Sequence, residues 1–235
     1  MNRSTPTLVL LPGMDGTGEL FAAFASIMER EFDTLIITYP PNTPLSYTAL
    51  ESLVRESLPT DRPFVLLGES FSGPIAISLS ARQLPRQVGL VLSSTFARNP
   101  RPLLSHLSFL LGALPFSLAP VGWISKVLLG RFSTSALRAA LRQAITRVKP
   151  SVMRSRLRSV LAVDVSAKLA QVSVPTIYLR AKHDSVVPGT ASALVSSMNR
   201  DTRIIEIEAP HCLLQVVPEE AAGHIREFLK TLEGI

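Results

Sequence analysis

The sequence predicts an α/β domain, a mostly parallel sheet flanked by helices and interrupted by an inserted helical cap. Three observations predict it. Short β-rich apolar runs alternate with stretches of helical periodicity, the pattern of a sheet wrapped on both faces. Those runs are apolar at nearly every position, as strands covered on two sides must be. The alternation then stops between about residues 97 and 163, where only the helical period remains.

The strands expected in chain order are 7–11, 34–39, 64–67, 89–93 and 176–180, each bounded by turn residues. The run 204–208 alternates Ile205 and Ile207 with Glu206 and Glu208, which suits a strand near the sheet edge with one wetter face. Helices are expected over 47–58, where Leu50, Leu53, Val54 and Leu58 share a face, and over 71–84, with Pro74 in the first turn where its missing N–H costs little. A last helix opens at Pro218 and packs through Ala221, Ile225, Phe228, Leu229 and Leu232. In the insertion, Ala136, Leu137, Ala140, Leu141, Ala144, Ile145 and Val148 form one apolar face, with Arg138, Arg142 and Arg147 off it. The expected organisation is a core of residues 1–96 and 164–235 carrying a helical cap at 97–163.

At 235 residues, 46% of them apolar and 18% charged, the chain fits one core with its insertion and reads as globular, not disordered. A membrane span is conceivable between Leu103 and Leu129, but Gly112, Pro115, Pro120 and Gly122 interrupt it. One cysteine, Cys212, offers neither an intramolecular disulfide nor a paired zinc site, so a reducing compartment fits best. The start of the chain lacks a signal peptide's long apolar core and cleavage site, and the expectation is a cytoplasmic protein. The net charge of +6 is unevenly placed: between Glu69 and Asp164 there is no acid but about a dozen Lys and Arg.

The strongest local signal is Gly68-Glu69-Ser70-Phe71-Ser72-Gly73, between an expected strand and an expected helix. Such a turn forces its central serine into a strained, exposed position, and small neighbours two residues either side let strand and helix approach. Ser72 stands where the usual G-x-S-x-G pattern has glycine. Ser70 is therefore the candidate nucleophile, and it needs a base, because a serine hydroxyl is too weak an acid to ionise near neutral pH. Of the four histidines, His211 follows the last strand and precedes the last helix, which places it on a loop at the carboxyl edge of the sheet. His106, His183 and His224 fall in the insertion, beside the candidate acid and within the last helix. The orienting carboxylate belongs on another loop at that edge, and Asp184 follows the strand 176–180; Asp164 is the rival. Cys212 is too close to His211 in sequence to act as its partner nucleophile, and Glu69 reads as a buried carboxylate beside the turn. Gly13, Gly16 and Gly18 match no dinucleotide fingerprint, and the phosphate-loop lysine is absent.

The order Ser, Asp, His along the chain, with the turn around Ser70, resembles the α/β-hydrolase superfamily over essentially the whole length. The resemblance implies Ser70, Asp184 and His211 as catalytic triad. It also implies an oxyanion loop after the first strand, in Leu11-Pro12-Gly13-Met14-Asp15-Gly16-Thr17-Gly18, with the main-chain N–H groups of Met14 and Phe71 as oxyanion donors. The chemistry so implied is that of a serine esterase working through an acyl-enzyme, without cofactor or metal. Thioesterase, acyltransferase and non-catalytic binding functions live on the same fold. The apolar insertion, with Leu103, Leu104, Leu107, Phe109, Leu110, Leu111, Phe116 and Trp123, suits a hydrophobic acyl group or simple packing. The basic insertion suits an acidic carrier protein or an anionic membrane surface, and nothing points to nucleic acid.

Overall fold

A computed structural model of the chain describes residues 5–102 and 121–232. Its strands are β1 (Thr7–Leu11), β2 (Thr34–Ile36), β3 (Phe64–Glu69), β4 (Gln87–Ser93), β5 (Thr176–Ala181) and β6 (Arg203–Ile207). Its helices are α1 (Ala22–Met28), α2 (Tyr47–Ser57), α3 (Gly73–Ser80), α4 (Val121–Leu129), α5 (Ser135–Thr146), α6 (Pro150–Ala162), α7 (Gly189–Met198), α8 (Leu213–Val216) and α9 (Pro218–Leu232). The strands form one sheet in the order β2-β1-β3-β4-β5-β6, with every neighbouring pair parallel.

Strand alternation divides the core in two. Leu8 and Leu10 of β1 point into a layer closed by Phe24 and Met28 of α1 and by Ile225, Phe228 and Leu229 of α9. Val9 and Leu11 point into the opposite layer, with Leu50 and Val54 of α2 and Ile75, Ile77 and Leu79 of α3. Each such fully buried Leu, Ile or Phe stabilises the fold by about 1.5–3 kcal/mol relative to exposure. The edge strand β6 has the wetter face its alternation predicts, with Glu206 exposed and Ile207 buried.

Two elements are shorter than their sequence pattern by more than one residue. β2 ends at Ile36 rather than residue 39, because β1 turns away at Pro12; Ile37 N–H still donates to the Leu10 carbonyl (3.0 Å), but Tyr39 N–H donates to Gly16 in the following loop (2.7 Å). The helix expected over 71–84 is regular only over Gly73–Ser80. A tight 3-10 turn, Ser70–Ser72, precedes it, and Gln83 at φ 51° ends the chain segment behind it.

Between β4 and β5 the described residues carry helices and no strand of the sheet. In α5 Leu141 and Ala144 are buried while Arg138 and Arg142 are exposed, and the Thr134 hydroxyl caps the helix by accepting from Leu137 N–H (3.2 Å). Leu103, Leu104, His106, Leu107, Phe109, Leu110, Leu111 and Phe116 lie outside the described residues. Trp123, on α4, is 65% exposed. Among the described residues no helix is long and apolar enough to cross a membrane.

Candidate active site

β3 delivers its last residue, Glu69, into a turn that leaves Ser70 in left-handed backbone at φ 47°. A left-handed non-glycine residue costs about 1–3 kcal/mol and persists only where its surroundings hold it. Thr95, just after β4, does so: its hydroxyl donates to the Ser70 carbonyl. The approach leaves no room for side chains. A Cβ at Gly73 would sit 1.9 Å from Thr95 Oγ1, and one at Gly68 would sit 2.8 Å from the Ala76 Cβ.

From the loops after β5 and β6, the structure brings Asp184 and His211 to this serine. Ser70 Oγ lies 2.8 Å from His211 Nε2, and His211 Nδ1 lies 2.8 Å from Asp184 Oδ2. A carboxylate can only accept, so Nδ1 carries a proton and the neutral imidazole presents Nε2 as acceptor to the serine hydroxyl. The other Asp184 oxygen accepts the N–H groups of Val186 and Val187, both at 2.8 Å, which fixes the carboxylate plane. The rival Asp164 is exposed and accepts from the Ser166 N–H (2.9 Å) and hydroxyl (2.6 Å). His183 lies tilted against the Phe132 ring at 5.9 Å and contacts Glu208 (2.7 Å), and His224 is half-buried on α9.

The loop after β1 can be accounted for carbonyl by carbonyl. Pro12 accepts from the Ser72 hydroxyl. Gly13 accepts from Gly16 N–H (3.0 Å), and Gly16 accepts from Tyr39 N–H (2.7 Å). Met14 and Asp15 both accept from Arg156 Nη1, at 2.9 and 2.7 Å. In a trans peptide the N–H points opposite to the preceding C=O. Met14 N–H therefore points away from the turn that the Gly13 carbonyl closes, and it has no hydrogen-bond acceptor among the described residues. Phe71 N–H opens the 3-10 turn, where the first N–H groups lack an intrahelical partner. The Phe71 carbonyl is held by the Tyr47 hydroxyl (3.0 Å), and the two rings stack at 4.8 Å.

Ser72, the departure from glycine, has a use. Its hydroxyl proton goes to the Pro12 carbonyl, so Tyr39 donates to its oxygen at 2.7 Å; one hydroxyl ties the Ser70 turn to the loop after β1. Sequence reasoning missed Arg156 altogether. It is 2% exposed, donates a third bond to the Pro40 carbonyl (3.1 Å) and lies over the Tyr39 ring at 5.7 Å. The signal was available: Arg156 falls three and four residues after the buried Met153 and Val152, on the inward face of α6.

Charge in the site is held by burial and pairing. Burial pushes the Glu69 carboxyl up to about 7 with help from Asp15, against the lowering pull of the Gln215 amide (2.9 Å), His211 and the Gly13 N–H. For His211, burial works against the charged form, but the charge and hydrogen bond of Asp184, with Glu69 behind them, leave it above the ordinary histidine value. Burial, reinforced by Glu69, Asp15 and Asp184, raises the Cys212 thiol well above its usual range, so it is not a ready thiolate. Burial lowers the Arg156 guanidinium, with Asp15 and Tyr39 pulling the other way.

Comparison with known proteins places this geometry in context. The family model of the Alpha/beta hydrolase family matches residues 8–224. The chain is 30% identical over 162 residues to phytyl ester synthase 1, chloroplastic, of Arabidopsis thaliana, covering 65% of this chain and 23% of that protein. It is 28% identical over 254 aligned residues to the biotin biosynthesis bifunctional protein BioHC of Cellvibrio japonicus (strain Ueda107), covering 97% of this chain and 48% of that protein. The chain thus spans about a quarter and about half the length of these two curated relatives. Among solved structures, a hydrolase from Pseudomonas aeruginosa PA01 superposes with a TM-score of 0.83 at 19% identity, over 96% of this chain and 90% of that one.

Proposed function

Because the chain belongs to the alpha/beta hydrolase family, we propose that it is a serine hydrolase cleaving carboxylic esters through an acyl-enzyme. The observation that carries this reading is the continuous chain from Ser70 Oγ through the His211 ring to Asp184, with both contacts at 2.8 Å. Ser70 Oγ attacks the acyl carbonyl while His211 Nε2 takes its proton. Met14 and Phe71 N–H groups stabilise the oxyanion. His211 then gives the proton to the departing alkoxide, and water, deprotonated by the same nitrogen, releases the acid and restores Ser70. Asp184 keeps the imidazole in the required tautomer and stabilises its charged form.

We assign a hydrophobic substrate group to an apolar groove of about 170 Å³, which Ser70, Asp184 and His211 do not themselves line. Leu20, Leu129, Leu137 and Leu141 line it, together with Cys212, the neighbour of His211. In this reading the helices α4, α5 and α6 belong to a cap over the site, and an acidic carrier protein presents the acyl group to their exposed arginines. The likeness to phytyl ester synthase favours acyl transfer as a second reading, in which an alcohol replaces water at the last step.

The test is turnover of p-nitrophenyl esters of graded chain length, with acyl thioesters alongside, and labelling by a fluorophosphonate. Ser70→Ala should abolish labelling and lower turnover by at least about 10⁴-fold in a folded protein. Normal turnover by that variant would refute the nucleophile. Partition of the acyl-enzyme between water and added alcohol separates hydrolysis from transfer.

A further inference from the structure

A buried guanidinium without a carboxylate is expensive, because burying a charge costs several kcal/mol unless it is paired or fully hydrogen-bonded. Arg156 is 2% exposed, and no ion pair forms on it among the described residues. An apolar side chain would fill the same volume at no such cost. What the apolar side chain could not do is satisfy three main-chain carbonyls, those of Met14, Asp15 and Pro40, from one planar fork. Two of these are consecutive carbonyls of the loop after β1, and among the described residues they accept from no main-chain N–H.

We propose that Arg156 is a positioning residue for the oxyanion hole: from α6 it holds the Met14 and Asp15 carbonyls, and so steadies the turn closed by Gly16 N–H on the Gly13 carbonyl, the turn that leaves the Met14 N–H to the oxyanion of a substrate on Ser70. The proposal rests on the serine hydrolase reading above. The geometry leaves few alternatives for the loop. Gly16 lies in left-handed backbone at φ 69°, and a Cβ there would lie 2.6 Å from Arg156 Nη1, so the guanidinium is packed directly against the turn it holds. Pro12 is pinned on the other flank by Ser72, and the two anchors are joined through Tyr39, which donates to Ser72 and lies under the guanidinium. The loop is thus clamped from the core by Ser72 and from the inserted helices by Arg156. Seating of α6 and competence of the oxyanion hole are one event, because the hole loses two of its carbonyl anchors whenever α6 lifts.

The experiment compares Arg156→Met and Arg156→Lys with the parent, using the full chain. Active sites are counted by fluorophosphonate titration, so that kcat refers to competent Ser70 only. The paired substrates are a p-nitrophenyl ester and its thiono analogue, whose sulfur fits an oxyanion hole poorly. Arg156→Met should lower kcat per titrated site by about 10²-fold with KM little changed, and should shrink the parent's preference for oxygen over sulfur by about tenfold. Arg156→Lys, which keeps a charge and three donors, should recover part of both losses. A kcat per site and an oxygen-over-sulfur preference equal to the parent's in either folded variant would overturn the proposal. If Arg156→Met fails to fold, Arg156→Lys carries the comparison alone. Loss of the hydrolase reading itself looks different: Ser70→Ala would then turn over the ester normally.

Discussion

In the proposed mechanism the environment of one side chain, the His211 imidazole, sets the conditions for activity. Ser70 needs an unprotonated Nε2, and the same Asp184 charge that orients the ring also favours its protonated form. Because His211 sits above its ordinary value, kcat/KM should rise with pH through an apparent pKa higher than that of a free histidine. Glu69, raised to about 7, interacts electrostatically with His211, so its ionisation also contributes to the acid limb. Asp184→Asn should lower kcat by about 10³–10⁴-fold and move the remaining acid limb to lower pH, since the charge supporting the imidazolium is gone. A pH–rate profile checks both. An unmoved limb, or a crippling effect of Asp164→Asn instead, would require another orienting acid. The exposed, Ser166-bonded position of Asp164 gives no ground for that outcome.

At the scale of elements, the site depends on how closely β3, α3 and the end of β4 approach. The strand-to-helix turn was legible because its small residues are a steric requirement written in sequence: Gly68 faces Ala76, and Gly73 faces Thr95. Gly73→Ala should destabilise the protein by about 1–3 kcal/mol in denaturant unfolding, as a methyl group forced against Thr95 must displace it. The displacement also removes the hydroxyl that holds the Ser70 carbonyl, so activity should fall more than stability. Stability within about 0.5 kcal/mol of the parent would mean that the turn has slack the present packing does not show. Element ends were less legible. The apolar pattern carries β2 on to Tyr39, but hydrogen-bond partners, not apolar character, end a strand, and here the partner changes from β1 to the loop after it.

On the scale of the whole molecule, the uneven charge divides into two populations that composition alone cannot separate. Some basic residues between Glu69 and Asp164 tie the insertion to the core: Arg147 pairs with Glu19 (2.5 Å), Arg131 reaches Glu208 (3.5 Å), Arg101 donates to the Ser185 and Val186 carbonyls, and Arg156 is buried. Helical periodicity groups Arg147 with Arg138 and Arg142, but its ion pair makes it an anchor. Arg138, Arg142 and Arg158 remain exposed and form no ion pair among the described residues. If they guide an acidic carrier, kcat/KM on a carrier-borne acyl substrate should fall with added salt while that on a small neutral ester stays level. Arg138→Glu, Arg142→Glu and Arg158→Glu combined should reproduce that split at low salt. Equal effects on both substrates would leave these charges as a solvated face, and binding to anionic vesicles in place of the carrier would reassign the partner. The sequence by itself determined the parallel α/β order, the turn around Ser70 and the three side chains at the carboxyl edge, because each follows from local periodicity or from steric demands on neighbouring residues. Only the tertiary structure decided that Ser72 and Arg156 clamp the loop after β1 and which arginines are anchors. Those roles rest on contacts between residues 60 to 142 positions apart, and such contacts leave no local pattern to read.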